Sequence, residues 1–211
     1  MKIEYITEKE LSVSRFSTSG PLMVMPYTNR SEAEKACTNA ARRSGLKEGL
    51  ILAVDDQARK GFIEVVNTAF ARTDSPWFGY FAQDAFAGRS WLAIATQTLQ
   101  TSNASLIAFN DGKWAGLLAA FGLARRSWAA GNYAGNFFHA GYLRHYADAE
   151  LTLLAMQDKQ YTYNANSVLV EVDWKKDEAP VHPQDKQLFN QRKANGFGNR
   201  VDDVKLLSLF Y

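Results

Sequence analysis

The chain has 211 residues, 46% hydrophobic and 13% aromatic, which is enough apolar mass for one substantial core and too little length to require two domains. A formal net charge of +2 excludes the strong basic field of a general nucleic-acid binder and an acidic field alike, although lysines and arginines between 175 and 205 make that stretch locally basic, as a polyanionic partner would favour. The single cysteine, Cys37, excludes an internal disulfide and zinc sites built from paired cysteines, which fits a reducing cytoplasm.

The opening MKIEYITEKE mixes acids and bases where a signal peptide would carry an apolar run, and no stretch reaches the ~20 apolar residues of a membrane span, so a soluble or at most peripheral protein is expected. After a polar lead-in to Gly20, LMVM at 22–25 is a short apolar run typical of a buried strand, stopped at Pro26. Ser31 followed by Glu34 has the spacing of a capping box, and Ala33, Ala36, Cys37, Ala40 and Ala41 recur at helical spacing. A helix is predicted from about 32 to Ser44, ended by Gly45. LILAV at 50–54 repeats the strand, and Phe62, Val65, Val66, Ala69 and Phe70 share one helical face. WFGYFA at 77–82, a helix from Trp91 to about Leu99, and LIAF at 106–109 continue the alternation. It implies a mainly parallel sheet with helices on both faces. The segment 112–147, rich in Gly, Ala and aromatics, suits a substrate-facing insertion as well as core. SVLVEV at 167–172 reads as a late strand, and 185–201 as a helix with a Gly-rich end.

Polar residues gather just after each strand: Thr28, Asn29 and Arg30; Asp55 and Asp56; Gln83 and Asp84; Asn110 and Asp111. In open α/β sheets ligands bind at these carboxyl ends, near a switch in strand order. Each residue also has a plainer role. Asn29, Asp55, Asp56, Asn110 and Asp111 are turn formers, Arg30 is a surface cation, Asp84 ends a strand, and Asp148 would cap a helix over 149–156 with Glu150 as a first-turn acid. On a helix, positions 148 and 150 point about 200° apart, so both serve one site only if Asp148 precedes the first turn. Trp91, Trp114, Trp128 and Cys37 read as core. The patterns GxxxxGK(S/T), GxGxxG after the first strand and GxSxG are missing, which removes support for kinase-like, dehydrogenase and hydrolase readings.

Four blocks, MVMPYTNRSE (23–32), LILAVDDQARKG (50–61), YFAQDAFAGRSWL (80–92) and YADAELTLLA (146–155), resemble in order the conserved segments of family 2 glycosyltransferases with a GT-A fold. The resemblance covers roughly 23–155. It implies one three-layer α/β/α sandwich with a mainly parallel central sheet, of nucleotide-diphospho-sugar transferase type. Residues 22–111 would form the nucleotide-sugar half, and 112–211 the acceptor side and tail.

The implied activity is metal-assisted, inverting transfer of a sugar from a nucleoside diphosphate, such as a UDP-sugar, to a hydroxyl acceptor on a saccharide or a modified nucleic acid. Pro26, Thr28, Arg30, Asp55, Gln83, Asn110 and Asp111 would line the donor, with Asp55 accepting from a uracil N–H or ribose hydroxyl. Asp84 would hold Mn2+ or Mg2+ against the diphosphate, and Asp148, with Glu150, would supply the general base. Three departures bear on this. The family's paired metal acids are here Gln83-Asp84-Ala85, leaving His139, His145, His182 or Asp173 to complete a shell; its leading Glu is Ala147; and its following Arg is Leu154. The alternatives are a degenerate nucleotide- or sugar-binding module, which these departures favour, and a sugar nucleotidyltransferase, which the glycine-free PYTNRSE loop disfavours.

Overall fold

The computed structural model describes residues 1–172 and 181–210. Its elements run β1 (Lys2–Thr7), α1 (Glu8–Val13), β2 (Phe16–Ser17), β3 (Leu22–Tyr27), α2 (Arg30–Arg43), β4 (Leu50–Asp55), α3 (Phe62–Arg72), β5 (Thr73–Asp74), β6 (Trp77–Tyr80), β7 (Ala85–Ala87), α4 (Trp91–Thr101), β8 (Leu106–Asn110), β9 (Gly122–Arg125), α5 (Arg126–Ala130), α6 (Ala147–Gln157), β10 (Tyr161–Glu171), α7 (Pro183–Ala194), α8 (Gly196–Asn199) and α9 (Val204–Leu207). Among the described residues eight strands form the main sheet in the order β1-β4-β3-β6-β9-β8-β10-β7, and β2 pairs with β5 apart from it. β1, β4, β3 and β6 are parallel, β9 runs antiparallel between β6 and β8, and β10 pairs parallel with β8 and antiparallel with β7.

The central strands are apolar throughout because both faces are covered. Leu22 and Val24 of β3, with Leu50, Leu52 and Val54 of β4, pack among α3 and α6. Met23, Met25, Ile51 and Ala53 pack among Ala33, Cys37 and Ala40 of α2 and Trp91 and Leu92 of α4. Alternation of period two thus feeds two separate cores and produces three layers. The expected α/β/α arrangement with a mainly parallel central sheet is found.

Several expectations need correction. A strand precedes LMVM, inside the polar lead-in: β1 pairs with β4 from Lys2↔Leu50 to Thr7↔Asp55. Thr7 and Glu10 close a capping box for α1, with Thr7 Oγ1 accepting from the Glu10 amide at 3.2 Å and Glu10 Oε2 from the Thr7 amide at 2.7 Å. At α2 the N-cap is Asn29 rather than Ser31, its Oδ1 accepting from the amides of Ser31 (3.1 Å) and Glu32 (3.3 Å), so the helix starts at Arg30. The segment 112–147 is more than an insertion, because it supplies β9 to the sheet.

The order of strands decides where a ligand can lie. From β3 the chain moves to β4 on one side and then, through α3, to β6 on the other. The loops after β3, β4 and β6 therefore diverge around a crevice at their carboxyl ends. No described helix is long and apolar enough to cross a membrane.

Candidate active site at the carboxyl ends of the strands

The β3 loop is fixed by Gln83. Its Oε1 accepts from the amides of Thr28 (2.8 Å) and Asn29 (3.1 Å), and its Nε2 donates to Glu32 Oε2 at 2.9 Å. Gln83 is thus a strut between the β3 and β6 loops. Pro26 lies opposite Val54 and beyond the last β3–β6 pair, Val24↔Tyr80, where the missing N–H takes nothing from the ladder. Arg30 is turned onto the protein. Its Nε lies 2.8 Å from Glu34 Oε1, one terminal nitrogen donates to the Tyr27 hydroxyl at 2.9 Å, and the guanidinium stacks 3.8 Å over the Tyr5 ring. The bond to Glu34 foremost holds its pKa above the usual value.

The two β4 acids divide their work. Asp56 is buried and accepts from the amides of Lys60 (2.8 Å) and Gly61 (2.9 Å), folding the loop before α3. Asp55, opposite Tyr27, accepts a long bond from Gln57 Nε2 at 3.4 Å. After β8, Asn110 Nδ2 donates to the Ala165 carbonyl (2.8 Å), while buried Asp111 Oδ1 accepts from Lys113 and Trp114 (2.9 Å each). Both residues thus make the turn that their plainer reading predicts.

Asp84, just past β6, borders a groove of about 890 Å3 together with Glu32, Lys35, Asn39, Arg42, Phe86 and Val172. Glu32 is a neighbouring acid that sequence reasoning missed; its place in the first turn of α2, one turn beyond the β3 loop, was the available signal. The histidines lie elsewhere. His145 and His182 meet at the start of α7, the His182 amide donating to His145 Nδ1 at 3.2 Å, and His139 packs edge-on between Tyr133 and Tyr142. Asp173 lies outside the described residues. Among the described residues no three His, Cys, Asp or Glu side chains converge, so none of the candidate histidines His139, His145 and His182 completes a shell with Asp84 there. Mg2+ commonly keeps its waters and takes one or two carboxylates plus the substrate's phosphates. The acids present fit a cation delivered with a diphosphate rather than one caged by protein.

Asp148 opens into a second cavity of about 180 Å3, walled by Phe62, Tyr80, Phe138 and Tyr146 and edged by Arg144 and His145. It is not the helix cap. Tyr146 holds that place with φ +68°, α6 starts at Ala147, and Asp148 Oδ1 accepts from the Ala149 amide at 2.9 Å. Burial pushes its carboxyl up to about 6; hydrogen bonds from Ala149 and its own amide oppose this, and the charge of Asp111 adds to it. Glu150, two positions on, faces the other way. Fully buried, it accepts from Arg192 Nε (2.7 Å), a second Arg192 nitrogen (2.6 Å) and the Tyr142 hydroxyl (2.8 Å). The structure therefore separates the two acids as the helical repeat requires.

No family model and no curated protein matches the sequence. Solved structures do match. Residues 1–349 of S. aureus TarS in complex with UDP-GlcNAc align over 91% of this chain and 69% of theirs, with a TM-score of 0.62 at 10% identity. A longer TarS structure is covered over 41% of its length. The mannosyltransferase PcManGT from Pyrobaculum calidifontis, in complex with GDP-Man and Mn2+, aligns over 94% of this chain and 70% of its own, with a TM-score of 0.59 at 12% identity. A Drosophila β1,4-galactosyltransferase 7 variant with manganese, UDP-Gal and xylobiose aligns over 80% and 79%, with a TM-score of 0.56 at 12% identity. The chain has the GT-A fold.

Proposed function

We propose that this GT-A domain moves a sugar from a nucleoside diphosphate sugar to a hydroxyl of a saccharide acceptor. The observation that carries the reading is a carboxyl group with a pKa near 6, Asp148, in an aromatic-walled cavity beside the end of β6, the strand that also leads to Asp84. A base poised near neutrality in one cavity and an acid past the end of the same strand, on the neighbouring groove, suit glycosyl transfer.

The residues divide the reaction between them. Asp55 receives a donor N–H or hydroxyl of the nucleotide, UDP being the proposed donor, and the Gln83 strut keeps the Thr28–Arg30 loop shaped around it. Asp84 would hold a divalent cation, which when bound would supply positive charge against the departing diphosphate. Asp148 takes the acceptor hydroxyl proton as that oxygen bonds to the anomeric carbon and the carbon–phosphate-oxygen bond breaks, giving inversion. Phe62, Tyr80, Phe138 and Tyr146 present flat apolar faces suited to a sugar ring.

The test is calorimetry with UDP, with and without Mn2+, followed by slow hydrolysis assays with UDP-, GDP-, CDP- and TDP-sugars. Metal-dependent binding abolished in Asp84→Ala supports the transferase. If no sugar nucleotide binds and Asp84→Ala changes nothing, the reading is abandoned. UDP binding that needs no metal and leads to no turnover would instead favour a binding module, the reading that Gln83 at the metal site makes the principal alternative.

A further inference from the structure

The segment carrying Asp148 is gripped on both sides by one face of α7. Asp185, 1% exposed, accepts three successive amides: Leu143 on Oδ1 at 2.8 Å, and Arg144 and His145 on Oδ2 at 2.9 and 2.8 Å. The Tyr146 ring stacks on Phe189 with centroids 4.6 Å apart and planes 19° from parallel. Arg192 forks onto Glu150 with two bonds of 2.6 and 2.7 Å. Positions 185, 189 and 192 follow the i, i+4, i+7 spacing that puts side chains on one stripe of a helix. That stripe meets residues 143–146 before Asp148 and residue 150 after it.

Three amides on one carboxylate is an unusual concentration of donors for a segment that is otherwise irregular. Without Asp185 all three amides would lose a charged acceptor that is itself 1% exposed, and the turn would lose the one side chain that ties them together. The grip also fixes Tyr146 at φ +68°, a backbone state that a bulky residue adopts only when its surroundings impose it. That residue turns the chain into α6 and so aims Asp148 into its cavity rather than toward α7.

We propose that α7 is a brace for the base-bearing turn and that Asp185 is a positioning residue of the reaction. The catalytic half of this proposal rests on the transferase reading above; the brace itself rests on geometry alone. Asp185 is not among the residues lining the cavity, whose charged and titratable groups are Asp148, Tyr80, Tyr146, Arg144 and His145, with Asp111 acting from the end of β8. It acts through the backbone.

The experiment uses Asp185→Asn in the full chain. The amide keeps the shape but has one acceptor oxygen, and its NH2 opposes at least one backbone N–H. The first readout needs no turnover: the Asp148 carboxyl is titrated by 13C NMR. A brace predicts a midpoint near 6 in the wild type and a shift of about one unit or more toward the ordinary carboxylate value in the variant, as the turn opens to water. A lowered Tm with an unmoved midpoint overturns the proposal and leaves Asp185 a purely structural role.

The second readout is kinetic. The variant should lose about tenfold or more in kcat while donor KM stays within about twofold, as expected when a base is misplaced but the nucleotide loops are intact. Equal loss in both overturns the catalytic half. A wild type without transfer activity refutes the function, and the titration still decides the brace. Should Asp185→Asn fail to fold, Arg192→Lys, which keeps the charge and loses the fork, is read by the same titration with the same two outcomes.

Discussion

At the residue scale the chemistry turns on Asp148. Asp148→Asn should lower transfer by about 10²–10⁴-fold while leaving UDP affinity near wild type, measured by single-turnover assay and calorimetry. The pH dependence has a defined sign. The base works ionised, so the rate should climb as pH rises through about 6 and level above it. Stability runs the other way. An acid whose folded pKa lies above its unfolded value binds its proton more tightly in the native state, so stability falls as pH rises from about 4 to about 6. At roughly 1.4 kcal/mol per unit the upper limit is about 3 kcal/mol. Chemical denaturation at pH 4.5 and 7.5 should therefore show Asp148→Asn gaining on the wild type at the higher pH. The carboxylates at strand ends were legible as a set from the sequence, but their tasks were not. Asp55 and Asp56 are adjacent letters; only the folded loop shows that the amides of Lys60 and Gly61 occupy the second. The pairing of Glu150 with Arg192 spans 42 residues and leaves no local trace.

At the element scale the fully buried strands announced themselves. β3, β4, β6 and β8 are continuous apolar runs because both faces are covered. The strands that were missed carry weaker patterns. β1 is a half-buried edge whose KIEYIT mixes charges with apolar side chains, and β9 is a four-residue strand, GLAR, inside a Gly- and Ala-rich stretch. The β6–β9 contact also leaves no room for a side chain at Gly79. A Cβ on Gly79 would lie 2.6 Å from the Gly122 carbonyl oxygen and 2.6 Å from the Met23 sulfur. Gly79→Ala should accordingly cost about 1–3 kcal/mol by urea denaturation, through forced separation of backbone from backbone. At α2, Asn29→Ala should cost about 1 kcal/mol by the same measurement and also slacken the β3 loop.

At the scale of the whole molecule, the crevice unites loops from distant parts of the chain, so filling it should stabilise the entire domain. UDP with Mn2+ is expected to add RT ln(1 + [L]/Kd) to the unfolding free energy, about 2.7 kcal/mol at a hundredfold excess over Kd, and so to raise Tm in a concentration-dependent way. UDP with EDTA should give much less. A scan in which both conditions coincide would count against a cation at Asp84. Fold class and layer order were readable because alternating strands and helices leave few topologies open. The brace from α7 was not, since its three contacts join residues about 40 positions apart.

The edge strand β1 carries a consequence for how this chain reaches its native state. Its partner β4 is offset by 48 residues in register, whereas β3 and β4 are offset by 28. During synthesis β1 leaves the ribosome before β3 and β4 and is obliged to wait, because the strand it pairs with, β4, is made 48 residues later. Closing the shorter loop first costs less entropy, so β1 should dock late and open early. In native-state hydrogen exchange its amides should exchange through a low-energy local opening, well before those of β3 and β4.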